Sequence, residues 1–160
     1  CIESGRHKGR SCLLVLVERM SRNVLMFKMR SQTQKEVQTR LDQLEKRIGI
    51  KRFREIFKSI TVDNGSEFLD WRSLERSCVS RKEVSRTGIY YCHPYHSWER
   101  GTNEQVNGHI RRFIPKGSAI SGYSTKDILD IQEWLNAYPR KVLHGKSSLE
   151  IVREELGRSA

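Results

Sequence analysis

Apolar positions along this chain follow two periods, and together they outline its elements. Cys12 to Val17 (CLLVLV) is a continuous apolar run of strand length, the pattern of a strand covered on both faces. A polar turn over Glu18 to Asn23 leads to a second strand, Val24 to Met29, and the pair reads as an antiparallel hairpin. Val37, Leu41, Leu44 and Ile48 then recur at helical spacing. Thr33 and Glu36 supply a capping box before that stripe, and Gly49 ends it. The charges opposite the stripe read as a solvated face. Ile56 to Val62 is expected as a third strand, stopping at the turn-forming Asp63-Asn64-Gly65.

A short helix over Leu69 to Arg76 is expected to anchor through Trp71 and Leu74, and Ser77 to Arg86 reads as a polar, mobile loop. Ile89 to Cys92 is the next strand. A helix opens at Gly101-Thr102, with Thr102 and Gln105 as a capping box, and ends near Ile114 because Pro115 cannot continue it. Ser124 to Asn136 forms another helix over buried Ile128, Ile131 and Leu135, and a final helix starts at the Ser147/Glu150 capping box and runs through Leu156. This order predicts one α/β domain over residues 1–160, a mixed central sheet with helices on both faces.

The helix after Gly101 divides into two faces. Val106, Ile110, Phe113 and Ile114 form the side expected to be buried. Glu104, Asn107, Gly108 and Arg111 form the other, so a carboxylate, an amide, a bare backbone position and a guanidinium share one exposed ridge. A first-turn glutamate is stabilised by the helix dipole without any chemical role. Composition shifts the balance. Thirty Lys and Arg stand against 19 Asp and Glu, a formal charge of +11 spread along the chain. Such a surface suits a polyanion, and nucleic acid is the expected partner. No apolar run reaches the roughly 18 residues of a membrane span, and no membrane partner is expected.

Cys1, Cys12, Cys78 and Cys92 have no paired spacing, so reduced thiols in a cytoplasmic protein are expected. Cys92, His93 and His96 lack a second ligand pair for zinc, and the two histidines read as loop or DNA-contact residues. Asp63 is different. It falls at the carboxyl end of a strand, where α/β sheets tend to place ligand groups. Asp63 and Glu104 together would offer hard oxygen ligands suited to Mg²⁺ or Mn²⁺. On a basic domain the matching substrate is a phosphodiester, displaced in line between two ions about 3.5–4 Å apart. A third carboxylate is usual in such sites. Glu3, Glu67 and Asp70 are near enough to consider, but Glu67 and Asp70 follow Asp63 too closely to form an independent wall.

DNGSEF, followed by YYCHPYHSWERGTNEQVNGHIRRFIPKG, resembles the integrase-type catalytic core of bacterial insertion-sequence transposases, most closely the IS-thirty family. Asn136 to Lys141 and Ser147 to Val152 resemble that family's closing pattern. The resemblance implies a ribonuclease H-like fold and a DDE triad holding two divalent ions, Mg²⁺ or Mn²⁺. Asp63 matches its second Asp and Glu104 its final Glu, so both are the implied catalytic and metal-binding residues. Asn107, Gly108 and Arg111 match the residues after that Glu, with Arg111 on DNA phosphate. Trp98, Arg100 and Asn103 in the approach to the helix, and Arg112 and Lys116 at its far end, are further nucleic-acid-binding candidates.

The implied reaction is hydrolysis of one strand at an element end, then attack of the freed 3′-OH on target DNA. DNA ends, target DNA and at least a second copy of the protein are the implied partners, and the bacterial cytoplasm at the nucleoid is the implied location. Aligning Gly5 to Gly9 with the family's basic turn places the first Asp immediately before Cys1, outside the chain, as is the family's amino-terminal helix-turn-helix region. A catalytically inactive DNA-binding or oligomerisation module, or a nuclease that hydrolyses without joining, are the alternatives.

Overall fold

In the computed structural model, residues 1–3, 11–80, 83–93 and 101–158 are described. They form a mixed α/β protein whose chain divides into two compact units, Cys1–Lys28 with Arg100–Ala160, and Met29–Glu99.

In the first unit, β1 (Ile2–Glu3) pairs antiparallel with β2 (Cys12–Val17), Ile2 opposite Leu13 and Glu3 opposite Cys12. β3 (Val24–Met29) lies on the other side of β2. The six-residue connection between β2 and β3 is far too short for a parallel crossover, so the expected hairpin is what forms. Its turn is held by Glu18, whose carboxylate accepts the Met20 amide at 3.0 Å and the Ser21 amide at 2.6 Å. Burial pushes the Glu18 carboxyl up, but these hydrogen bonds outweigh it and leave it below the usual range.

Leu13, Val24, Met26, Val106, Ile110, Ile114, Ile120, Ile128 and Leu135 close one continuous core between this sheet, α4 (Gly101–Phe113) and α5 (Thr125–Ala137). Val106, Ile110 and Ile114 are fully buried, each contributing about 1.5–3 kcal/mol relative to exposure. That anchors α4 by its apolar stripe and leaves the Glu104 side outward. Phe113 departs from expectation: it is 36% exposed, because it turns to the flank of α4 and meets Trp134 edge-on at 4.8 Å instead of entering the core. α5 also shields the outer edge of β3. The Asn136 amide accepts from Val24 N at 2.8 Å and donates to Val24 O at 2.9 Å, while Gln132 accepts from Met26 N at 2.7 Å. Backbone groups of an edge strand are thereby satisfied by side chains, not by another strand.

Caps explain the helix starts. Ser147 and Glu150 form the expected box ahead of α6 (Ser148–Arg158), the Glu150 carboxylate accepting the Ser147 amide at 2.7 Å. Ser124 and Asp127 form another ahead of α5. The expected box at Thr102 does not form. The helix already begins at Gly101, and the Thr102 hydroxyl accepts a hydrogen bond from the Arg22 guanidinium.

In the second unit, α1 (Gln34–Ile48) ends where expected, with Gly49 at φ 80° in a conformation that favours glycine. Thr33 is its N-cap residue but makes no side-chain cap bond; its hydroxyl lies 3.3 Å from that of Ser31, while Glu36 pairs with Arg40 at 3.7 Å and accepts from the Arg30 amide. The buried positions are Val37, Leu41 and Glu45, whereas Leu44 and Ile48 are only half-buried.

Ile56, expected to begin a strand, instead completes a second helix, α2 (Ile50–Ile56), anchored by fully buried Phe53. β4 is therefore shorter, Ser59–Val62. It pairs in parallel with β5 (Gly88–Tyr91), Ser59 opposite Gly88 through Val62 opposite Tyr91. Between them lies α3 (Trp71–Glu75), anchored by Leu74; Trp71 is 41% exposed and is no anchor. The stretch read as a polar loop carries a buried side chain, Arg86, held by the second unit's acidic residues. No helix among the described residues is long and apolar enough to cross a membrane.

Candidate metal and nucleic-acid site

Asp63 follows the last residue of β4, and the Cys92 amide donates to the Val62 carbonyl at 2.9 Å, so parallel pairing persists up to the aspartate. The side chain is half-buried. Asn64 is exposed and bends the chain, Gly65 is extended, and Ser66–Phe68 make one 3₁₀ turn. Glu67 within that turn is buried, and its Oε1 accepts a 2.9 Å hydrogen bond from Gln32 Nε2. Its other oxygen turns towards Gly65. A Cβ on Gly65 would stand 2.6 Å from Glu67 Oε2 and 3.2 Å from Asp63 Oδ1. Those two oxygens are thus less than about 6 Å apart, close enough for like charges to act on each other. Two hard carboxylate oxygens around a bare backbone position fit a Mg²⁺ or Mn²⁺ ligand set and not a soft one.

The neighbouring acid is differently employed. Asp70 caps α3, accepting from Ser73 N at 3.2 Å and from the Ser73 hydroxyl, and these bonds hold its carboxyl below the usual range. Glu3 lies exposed on β1.

On α4, Glu104 and Gly108 are exposed, as the two-faced pattern predicts, whereas Asn107 and Arg111 on the same ridge are half-buried. Asn103 is half-buried in the first turn, and Arg112 and Lys116 are exposed at the far end. A Cβ on Gly108 would meet nothing within 4 Å, so no neighbour in this chain requires a glycine there. Trp98, Arg100 and His96 lie outside the described residues, as do Gly5 to Gly9. Cys92 is buried and His93 exposed. Asp63 belongs to the second unit and Glu104 to the first.

A second acidic group, which the sequence pattern did not signal, has the spacing of a metal site among the described residues: Asp42, Glu45 and Cys78. Its cation is already supplied by the protein. Arg86 Nη1 lies 2.5 Å from Asp42 Oδ1 and 3.2 Å from Glu45 Oε2, with Arg86 and Glu45 both fully buried. Burial pushes Glu45 up, but bonds from the Ser77 hydroxyl, the Cys78 amide and Arg86 bring it below the ordinary carboxylate range. Burial and the two acids push the Cys78 thiol up to about 11, so it stays protonated and is a poor metal ligand. The cluster is a structural ion pair joining α1 to the segment before β5.

The insertion-sequence element IS1086 transposase of Cupriavidus metallidurans is 33% identical to this chain over 149 residues, 92% of the chain and 40% of the relative. Escherichia coli InsI, the transposase of IS30A, is 32% identical over 142 residues, 89% of the chain and 34% of the relative. Over about nine-tenths of its length the chain is thus similar to insertion-sequence transposases, those of IS30 elements among them. A shorter match, 40% over 95 residues, joins it to the IS4351 transposase of Bacteroides fragilis, covering 59% of the chain and 27% of that protein. The chain spans between 27% and 40% of the length of these three relatives. No protein-family model matches it.

Proposed function

We propose that residues 1–160 are the catalytic domain of a DDE transposase with a ribonuclease H-like fold, cutting and joining DNA with two divalent ions held in part by Asp63 and Glu104. The observation that carries this reading is the similarity to proteins named transposases, which extends over about nine-tenths of the chain. The charge of +11 supports DNA as the substrate.

Mg²⁺ or Mn²⁺ would supply Lewis-acid stabilisation of the attacking and leaving oxygens. The chain's own groups do the rest. Asp63 and Glu104 orient as oxygen ligands from a strand end and a helix face. Arg111, Arg112 and Lys116 neutralise phosphate charge, and Asn103 and Asn107 offer amide contacts; Trp98 and Arg100 belong to the same DNA surface. In the first step water attacks a phosphodiester at the element end, leaving a 3′-OH and a 5′-phosphate. In the second, that 3′-OH attacks a target phosphodiester and expels a target 3′-OH, so one bond forms for each broken and no protein adduct is required. Paired ends call for at least two copies of the protein, in the bacterial cytoplasm with the nucleoid.

The test is Glu104→Gln in the chain extended to the full length of its relatives. Cleavage of a labelled element-end duplex is expected to disappear while DNA binding by anisotropy stays within about twofold, the signature of a group acting in the transition state alone. Surviving cleavage would refute the assignment. Joining of a pre-cut 3′-OH end separates a transposase from an enzyme that only hydrolyses.

A further inference from the structure

We infer that Glu67 is a positioning residue for Asp63, and that Gly65 is glycine because the Glu67 carboxylate occupies the space its side chain would need. This rests on the reading of Asp63 as a cation ligand and adds a residue from the same wall.

The backbone gives no other reason for the glycine. Gly65 has φ −64° and ψ 145°, extended values open to any residue. The reason is space. A Cβ would lie 2.6 Å from Glu67 Oε2 and 2.9 Å from Glu67 Cδ, distances that force a displacement. The carboxylate cannot easily retreat, since Gln32 Nε2 holds its Oε1 at 2.9 Å and the residue is only 2% exposed. Gln32, ahead of α1, thus fixes one oxygen of Glu67, and the other is directed across Gly65 to the side where Asp63 Oδ1 lies.

Placing a buried negative charge beside the aspartate has one chemical use that fits the proposed function. It raises the attraction of Asp63 for a divalent cation and restricts where the Asp63 carboxylate can sit when the cation is bound. Sequence spacing discounted Glu67 because it cannot form a separate wall. It does not need to, because it acts through Asp63.

The experiment measures Mn²⁺ alone on the intact chain, by electron paramagnetic resonance of free Mn²⁺ and by the Mn²⁺-dependent shift in Tm. Glu67→Gln keeps an oxygen for Gln32 and removes only the charge. It is expected to weaken Mn²⁺ affinity about tenfold, the low end for residues supporting a metal ligand, and to shrink the metal-dependent shift without lowering the metal-free Tm. Glu67→Asp is expected to recover part of the affinity. Gly65→Ala is expected to weaken Mn²⁺ binding similarly in the wild-type background, but to add nothing in Glu67→Ala, where its Cβ has room. If Glu67→Gln binds Mn²⁺ like wild type while Asp63→Asn does not, the inference fails and the proposed function stands. Wild-type Mn²⁺ binding by Asp63→Asn overturns both.

Discussion

Gly108 is a glycine in the middle of a 13-residue helix, exposed, with open space where its Cβ would be. Glycine there costs about 0.5–1 kcal/mol relative to alanine through backbone entropy. Gly108→Ala should therefore stabilise the protein by up to about 1 kcal/mol, raising Tm by roughly 2–4 °C for a domain of this size. The same substitution places a methyl group on the ridge between Glu104 and Arg111, where a DNA backbone is proposed to approach. DNA affinity should fall at least about tenfold, equivalent to 1.4 kcal/mol. Gly157→Ala in α6 is the control, also helical, exposed and unhindered, though nearer a helix end. It should stabilise slightly and leave DNA binding unchanged. Thermal melts followed by circular dichroism and anisotropy with a short duplex at fixed salt measure both quantities. Unchanged DNA affinity in a stabilised Gly108→Ala would refute close approach at this ridge.

Three further outcomes follow from the packing and charge. Arg86→Met strands Glu45 as a buried, uncompensated charge and should cost about 3–5 kcal/mol in chemical denaturation, with the Glu45→Gln/Arg86→Met double variant recovering a large part. Burial, then Arg112 and Arg140, depress the His109 imidazole below its ordinary 6.5, so the unfolded chain takes up the proton first as pH falls. Stability from this group is full above about pH 6.5 and is lost as pH drops through the folded value; melts from pH 7.5 to 5 should show a decline that His109→Gln flattens. Arg111→Ala should weaken binding to all duplexes alike and reduce the slope of log affinity against log salt by about one.

Where local pattern and tertiary packing agree, the sequence was legible. CLLVLV, Val24–Met29, the span of α1 with its terminal Gly49, and the stripe of α5 are set by apolar period and turn chemistry alone. α2 was not legible, because its seven residues contribute a single buried side chain and β-branched and aromatic neighbours imitate a strand. Nor were Glu45 and Arg86, two charges that read as solvent-facing and neutralise each other across 41 residues of sequence. Asp63 and Glu104 stood out by residue type and position. Glu67 did not, since closeness along the chain hid the fact that its carboxylate turns back towards Asp63 over a glycine.

The proposed function requires Asp63 and Glu104 to act as ligands of the same bound cations. Mn²⁺ affinity in the presence of an element-end duplex, followed through Asp63→Asn, Glu104→Gln and the double variant, tests that coupling. Either single change should remove most of the affinity and the second should add little to the first, the non-additivity of groups that act as a unit. Independent losses that simply sum, or a Glu104→Gln protein that binds Mn²⁺ as tightly as wild type, would contradict it.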